Sequence, residues 1–427
     1  MRLRERRLPL LGVALTLTTA FAGCGDGGDS GRGGSPTALA VGCRGKCDSW
    51  AAAWSSDGGH TWSSPSDLPG AAWGVALVGR REAWAVGDES IVHTSDGGKA
   101  WEDQAAHIDA PGAGIALLEV AFATTDRGVA VGAEPVDPAT VPTALPTPHA
   151  TPPPQTDFDF PTPTFTPPPS PPGSGPPLVL ITTNGGARWS RATILPGDDP
   201  APFENARLTS VCLTPEGFGL ATGSSTRFPP RRGFILRTRD GGSTWENLVD
   251  RTPHGGGGAA VACAGASDGW VTGTSLNAME PCFFCTAPFV IHTADAGTTW
   301  EDQSGNVDRS VSTMGGFLAI SVLDGSIGFA GGERGIGGQG FPGAGFRRTA
   351  DGGRHWTDDV TLDVADDCQI LHLAFADASH GVAMCQTRGI ADTLVTDDGG
   401  GTWARVPISG LDVSDVAITR TGGEGAR

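Results

Sequence analysis

Apolar and polar positions along this chain fall into short alternating runs, each stopped by glycine or aspartate. The clearest stretch runs from Ile235 through Leu236, Arg237, Thr238, Arg239, Asp240, Gly241, Gly242, Ser243 and Thr244 to Trp245. It predicts a tight turn between two β-strands. The eight residues from Thr238 to Trp245 form a pattern that occurs seven times, with its Asp or Asn at Asp57, Asp96, Asn184, Asp240, Asp295, Asp351 and Asp398. Each copy ends in a tryptophan: Trp62, Trp101, Trp189, Trp245, Trp300, Trp356 and Trp403. Seven of the twelve tryptophans thus share one position, so the pattern is a structural repeat.

The residue types explain themselves locally. An Asp or Asn carboxyl or amide oxygen accepts from backbone N–H groups just downstream and fixes a turn. The following glycines supply backbone angles that other residues reach at a cost. The tryptophan is expected to fold back and bury its ring under its own turn. One copy has Ala296 in place of the first glycine, and Asn184 and Arg188 depart from the pattern in the third.

Around each box the same unit recurs: an apolar strand, a turn, a short strand usually ending in Gly, a variable loop, a strand into the box, and the Trp strand. Successive boxes lie 39 to 56 residues apart, except for 88 between Asp96 and Asn184. That longer interval holds a Pro/Thr-rich run over 135–177, and without it every interval fits one propeller blade. Four strands per unit, seven times, predict an all-β, seven-bladed propeller of four-stranded antiparallel blades. The first unit lacks an innermost strand, and the chain ends on Val413–Thr419, an innermost strand without a successor. Residues 411–420 are therefore expected to close blade 1 beside the N-terminal strands, leaving no open sheet edge.

In such a blade the box joins strands three and four. The loops between strands two and three lie on the opposite face, and nearly all length variation falls there: Cys43–Ser49, Glu134–Pro177, Ser224–Gly233, Thr274–Pro288, Gly332–Gly345 and Gln386–Asp392. Loops on a rigid scaffold carry function, so this decorated face is expected to bind a protein or glycan. The 135–177 insert reads as a disordered polyproline-rich spacer. Its other reading is a recognition arm with Phe158, Phe160 and Phe165 as anchors.

The N-terminus changes the picture of where this propeller works. A basic start and an apolar run over 8–20 form a signal segment too short to span a membrane. Phe21, Ala22, Gly23 and Cys24 resemble a bacterial lipobox, which implies cleavage after residue 23 and a lipid on Cys24. The expected organisation is a lipoprotein signal over 1–23, a flexible tether over 24–36, and the propeller over 37–427. The protein is expected to be exported, lipid-anchored at the cell envelope and monomeric. A net charge of −18 argues against a nucleic-acid partner. The remaining eight cysteines are even in number, as disulfides in an oxidising compartment require. Cys212 and Cys263 fall on successive innermost strands, Cys368 and Cys385 on one hairpin. Cys282 and Cys285 fit a disulfide, half a zinc site that Cys43 and Cys47 would complete, or a redox pair; structural disulfides are the expected reading, with connectivity left open.

The boxes resemble the Asp-boxes of the sialidase-type propeller superfamily. Sialidases of that superfamily use a tyrosine nucleophile, and this chain contains no tyrosine. Xyloglucanase-type relatives use two carboxylates about a glycosidic bond; Glu134, Glu280 and Glu333 are candidates on the decorated face. The nine histidines show no pair at metal-ligand spacing, and His93 and His292, at equivalent positions before their boxes, read as structural. No metal or cofactor is expected, since turn-holding accounts for the box aspartates. The wording from Ala83 to Gly87 and on to Trp101 resembles the photosystem II stability/assembly factor-like proteins. That resemblance implies a seven-bladed, non-catalytic scaffold that binds an assembling membrane-protein complex. A glycan-active hydrolase is the alternative.

Overall fold

The computed structural model describes residues 35–109, 114–135, 175–195, 206–225, 233–248, 252–253, 258–275, 287–304, 316–334, 343–357, 360–361, 368–387 and 390–419. Their strands form seven small sheets in chain order, a seven-bladed β-propeller. Six blades have four strands. The innermost strands of blades 2 to 7 are Gly74–Val78, Ala116–Phe122, Ala206–Leu213, Gly258–Ala264, Phe317–Val322 and Gln369–Phe375.

Blade 1 is completed from both ends of the chain. Asp412–Ile418 pairs antiparallel with Ala38–Arg44, setting Ala417 opposite Leu39 and Val416 opposite Ala40. Ser49–Ser55 and Ser66–Leu68 follow outward. Beyond the pairing, the Thr37 amide donates to Thr419 Oγ1 at 2.9 Å. The ring closes as the unpaired final strand predicts.

Blade 4 departs from the expectation of four strands. Thr193–Leu195, in the link from blade 3, adds to its outer edge parallel to Thr244–Asn247. Alternation cannot predict this: the segment is three residues long, and its pairing is parallel and between blades. The 135–177 insert, whose interior lies outside the described residues, leaves blade 3 intact at its base. Glu134 and Pro176 sit hydrogen-bonded there, amide to carbonyl at 2.8 Å, so the excursion adds loop length without breaking the sheet.

The core lies between blades, not within them. Val382 and Val395 of blade 7 pack with Ala38, Ala53 and Val416 of blade 1; Trp84 and Ile91 of blade 2 pack with Leu117 and Leu180 of blade 3. The box tryptophans belong to these seams. Trp245 of blade 4 lies with Val129, Val131 and Ile181 of blade 3, and Trp403 of blade 7 stands edge-on to Phe346 of blade 6 at 5.3 Å. Trp245 does cap its own turn, donating from Nε1 to Gly242 O at 2.9 Å. The ring also reaches beyond that turn: each box fastens its blade to the one before. A tryptophan of this kind buries about 150–250 Å², a gross stabilisation of about 4–6 kcal/mol before entropy.

Candidate functional site

All seven boxes are built alike. A Ser or Thr two residues before the Asp or Asn donates to its side-chain oxygen, from Ser55 to Asp57 at 2.7 Å, from Thr182 to Asn184 at 3.0 Å and from Thr238 to Asp240 at 2.8 Å. The same hydroxyl accepts the amide of the second glycine, as Thr238 does from Gly242 at 3.0 Å. The carboxylate then accepts the amide four residues on, Thr244 at 3.0 Å in blade 4. At Gly242 a Cβ would lie 2.7 Å from Val129 of the preceding blade, so the second glycine is also needed for close approach. At Ala296 a non-glycine residue holds φ +54°. Hydrogen bonds keep these carboxyls below the usual range: the Thr299 amide first for Asp295 and His355 first for Asp351, each to about 2. These aspartates are therefore turn-holders. The chain is a seven-bladed β-propeller.

A different constellation lies at the ring's centre. Six of the seven innermost strands carry a one-residue bulge at the same place: Leu118, Thr209, Ala259, Leu318, Leu371 and Ser414 are skipped in the pairing. The next residue marks one equivalent position around the ring. It is Asp415 in blade 1, Gly74 in blade 2, Glu119, Ser210, Ala260 and Ala319 in blades 3 to 6, and His372 in blade 7. Four are small. The other three, Glu119, His372 and Asp415, bring one oxygen or nitrogen each to within 4.8 Å of one another. Blades 7, 1 and 3 are not all neighbours, so such a meeting requires the axis.

Asp415 is the fixed member. It is buried, its Oδ2 accepts the Val75 amide at 2.8 Å and its Oδ1 the Val416 amide at 2.7 Å. His372 Nδ1 lies 2.7 Å from Asp415 Oδ1. Burial pulls the imidazole's pKa down, but Asp415's charge and hydrogen bond, helped by Glu119, outweigh it and hold it up at about 9. Glu119 is pushed up to about 8, first by burial and then by Asp415's negative charge. At neutral pH the trio thus carries a protonated imidazole and a neutral glutamic acid beside the Asp415 carboxyl group.

The sequence gives no expectation for these three residues, and it is the closed ring that brings them together. No local spacing links the three residues. Aligning the innermost strands on the residue after the bulge is the signal that finds them.

The other candidates take separate places. Glu134 pairs with Arg191; Glu333 stands on the strand Gly328–Arg334, opposite Ala344; Glu280 lies outside the described residues. Cys43–Cys47, Cys212–Cys263 and Cys368–Cys385 are disulfide-bonded. Cys24, Cys282, Cys285 and the insert phenylalanines lie outside the described residues. His93 and His292 stack on Trp84 and Trp270 at 4.6 and 4.4 Å, and pair with Glu82 and Asp268. On the decorated rim, Trp50 and Trp73 meet edge to face with ring centroids 4.6 Å apart. Trp73 is 36% exposed, and Ile390, at the same rim of blade 7, is 65% exposed.

No protein-family model matches the chain, and no curated protein matches it. It is similar to the solved structure of YCF48 bound to D1 peptide, at 18% identity and TM-score 0.42, covering 79% of this chain and 85% of that one. A similar likeness links it to YCF48 from Cyanidioschyzon merolae, at 18% identity and TM-score 0.43, covering 81% and 88%. The GH74 xyloglucanase from Xanthomonas campestris is similar at 14% identity and TM-score 0.46, covering 78% of this chain and 45% of that one. The chain thus spans less than half the length of that xyloglucanase.

Proposed function

We propose that this protein is a non-catalytic binding scaffold, lipid-anchored through Cys24 outside the cytoplasm, which holds a protein partner on the face opposite its Asp-boxes. The observation that carries the reading is the exposed Trp73, braced by Trp50 at the rim of that face. Rigid, partly exposed aromatics are the usual anchors of protein interfaces. The two faces differ in kind: one is a ring of turns whose carboxylates are engaged by their own backbone, the other carries the variable loops. The repeat wording from Ala83 to Trp101 supports an assembly role. The acidic balance disfavours nucleic acid.

The test is affinity capture from envelope membranes with the wild type, Trp73→Ala and, as a control on the other face, Arg239→Ala. A specific protein retained by wild type and R239A but lost by W73A is expected. Equal retention by all three removes the decorated face. Release of the protein from membranes by Cys24→Ser tests the anchor; a variant that stays membrane-bound contradicts it.

A second reading, a glycan-active hydrolase, is favoured by one observation: Glu119 and Asp415 are two carboxyl groups within 4.8 Å, and burial with Asp415's charge pushes Glu119 up to about 8. Such a pair can divide acid and base roles. Turnover on a glycan panel that disappears in Glu119→Gln is its expected signature. No turnover by wild type removes it.

A further inference from the structure

We propose that Glu119, His372 and Asp415 bind one divalent transition-metal ion on the ring axis and so tie blades 1, 3 and 7 together. The donor set is one imidazole nitrogen and two carboxylate groups, each offering an atom within 4.8 Å of the others. Imidazole with carboxylate suits zinc and its first-row neighbours, whereas calcium and magnesium favour oxygen alone. Three protein donors leave a zinc-type ion one position for water.

The geometry needs little change. Donors about 2.0–2.2 Å from zinc stand about 3.4 Å from one another in a tetrahedral shell. The 2.7 Å contact between His372 Nδ1 and Asp415 Oδ1 opens slightly as the ion replaces the proton between them, and Glu119 closes in by side-chain rotation. Asp415 is already oriented for this by the Val75 and Val416 amides, outer-shell support of the kind that fixes ligands. The four other residues at this ring position, Gly74, Ser210, Ala260 and Ala319, are too short to compete for the axis.

The consequence is a clamp on ring closure. Asp415 stands on the terminal strand that completes blade 1, while Glu119 and His372 belong to blades complete in themselves. A cation held by all three binds only the closed ring, and whatever binds only the folded state stabilises it. Because ligands must be deprotonated, binding tightens as pH rises.

Zinc chloride titrated into the chelator-stripped full-length protein, followed by calorimetry and thermal melting, tests this at pH 7.5. One equivalent is expected to bind, with a melting temperature higher by about 4 °C or more once zinc exceeds its Kd a hundredfold. Glu119→Gln, which copies the neutral glutamic acid in shape, should fold normally and weaken binding at least about tenfold. His372→Gln should do the same and abolish the visible absorption of a cobalt-substituted sample; E119Q and the cobalt spectrum carry the test alone if H372Q does not fold. The surface pair His60 and His380, both near Asp397, is the control, and its double alanine variant should bind as wild type. Absence of saturable binding overturns the proposal. So does zinc binding that survives E119Q and is lost in the surface double variant.

Discussion

His372 Nδ1 and Asp415 Oδ1 stand 2.7 Å apart, joining the last complete blade to the strand that closes the ring. Beside them Glu119, from two blades further round, is held as the neutral acid. The chain's closure and its most perturbed protonation states therefore share one place.

That coupling gives the fold a pH dependence whose sign is fixed. Glu119 rises from 4.5 to about 8 and His372 from 6.5 to about 9. Both folded values exceed the unfolded ones, so the folded state binds more protons between them. Their stabilisation is full below the unfolded values and is lost as pH rises through the folded ones. The slope reaches at most about 2.7 kcal/mol per pH unit where two protons differ. The box carboxyls act oppositely: Asp295 and Asp351, lowered to about 2, contribute above their usual range and lose that contribution as pH falls through about 2. Thermal melting in chelator should therefore peak at about pH 4–6 and decline toward pH 9. Glu119→Gln should flatten the decline; a wild-type melting temperature constant from pH 6 to 9 contradicts the assignment.

The box at Ala296 gives a second prediction. Its φ of +54° lies where the other six boxes have glycine, and an L-residue with a Cβ pays about 1 kcal/mol there. Ala296→Gly should raise stability by up to about 1 kcal/mol, less the extra freedom glycine gains when unfolded. Urea unfolding reads this as a higher midpoint at unchanged slope. A lower midpoint means that the Ala296 methyl, packed near Trp300, outweighs the strain.

Tryptophan at the boxes can be dissected at Trp245, which is fully buried. Trp245→Phe keeps most of the ring but removes the donor to Gly242 O, costing about 1 kcal/mol. Trp245→Ala opens the seam with blade 3 and should cost about 3–5 kcal/mol. Chemical denaturation of both variants checks the ratio; equal losses imply that the hydrogen bond, not the seam, dominates.

These cases mark what the sequence could and could not disclose. Blade number and closure were legible because they follow from local, repeated chemistry: Asp240, its glycines and Trp245 recur at blade spacing, and Val413–Thr419 lacks a partner in sequence. The seam role of Trp245 was not legible, since its neighbours Val129 and Ile181 lie in another repeat. The axial trio was hidden more deeply. Glu119 and His372 are separated by most of the chain, and only a ring closed by Asp415's strand brings them together. The decorated face was located by loop length alone, whereas Trp50 and Trp73 read as ordinary strand residues until the rim placed their rings in contact.

The closing strand itself provides the most demanding prediction. Removing residues 411–427 deletes the pairing with Ala38–Arg44, the Thr37–Thr419 bond and Asp415. It uncovers an unpaired sheet edge on Ala38–Arg44 and leaves the protonated His372 without its counter-charge, a loss of about 3–5 kcal/mol where a buried pair is broken. Val413, Val416 and Ile418 also leave the seam between blades 7 and 1. Together these exceed the margin of a typical domain, about 5–15 kcal/mol, or come close to it. The truncated chain should be unfolded or aggregated at 37 °C, and the peptide 411–427 added in trans should restore part of the native near-ultraviolet tryptophan signal. Melting that matches the full chain would mean that blade 1 holds without its inner strand, and that the ring is closed by packing instead.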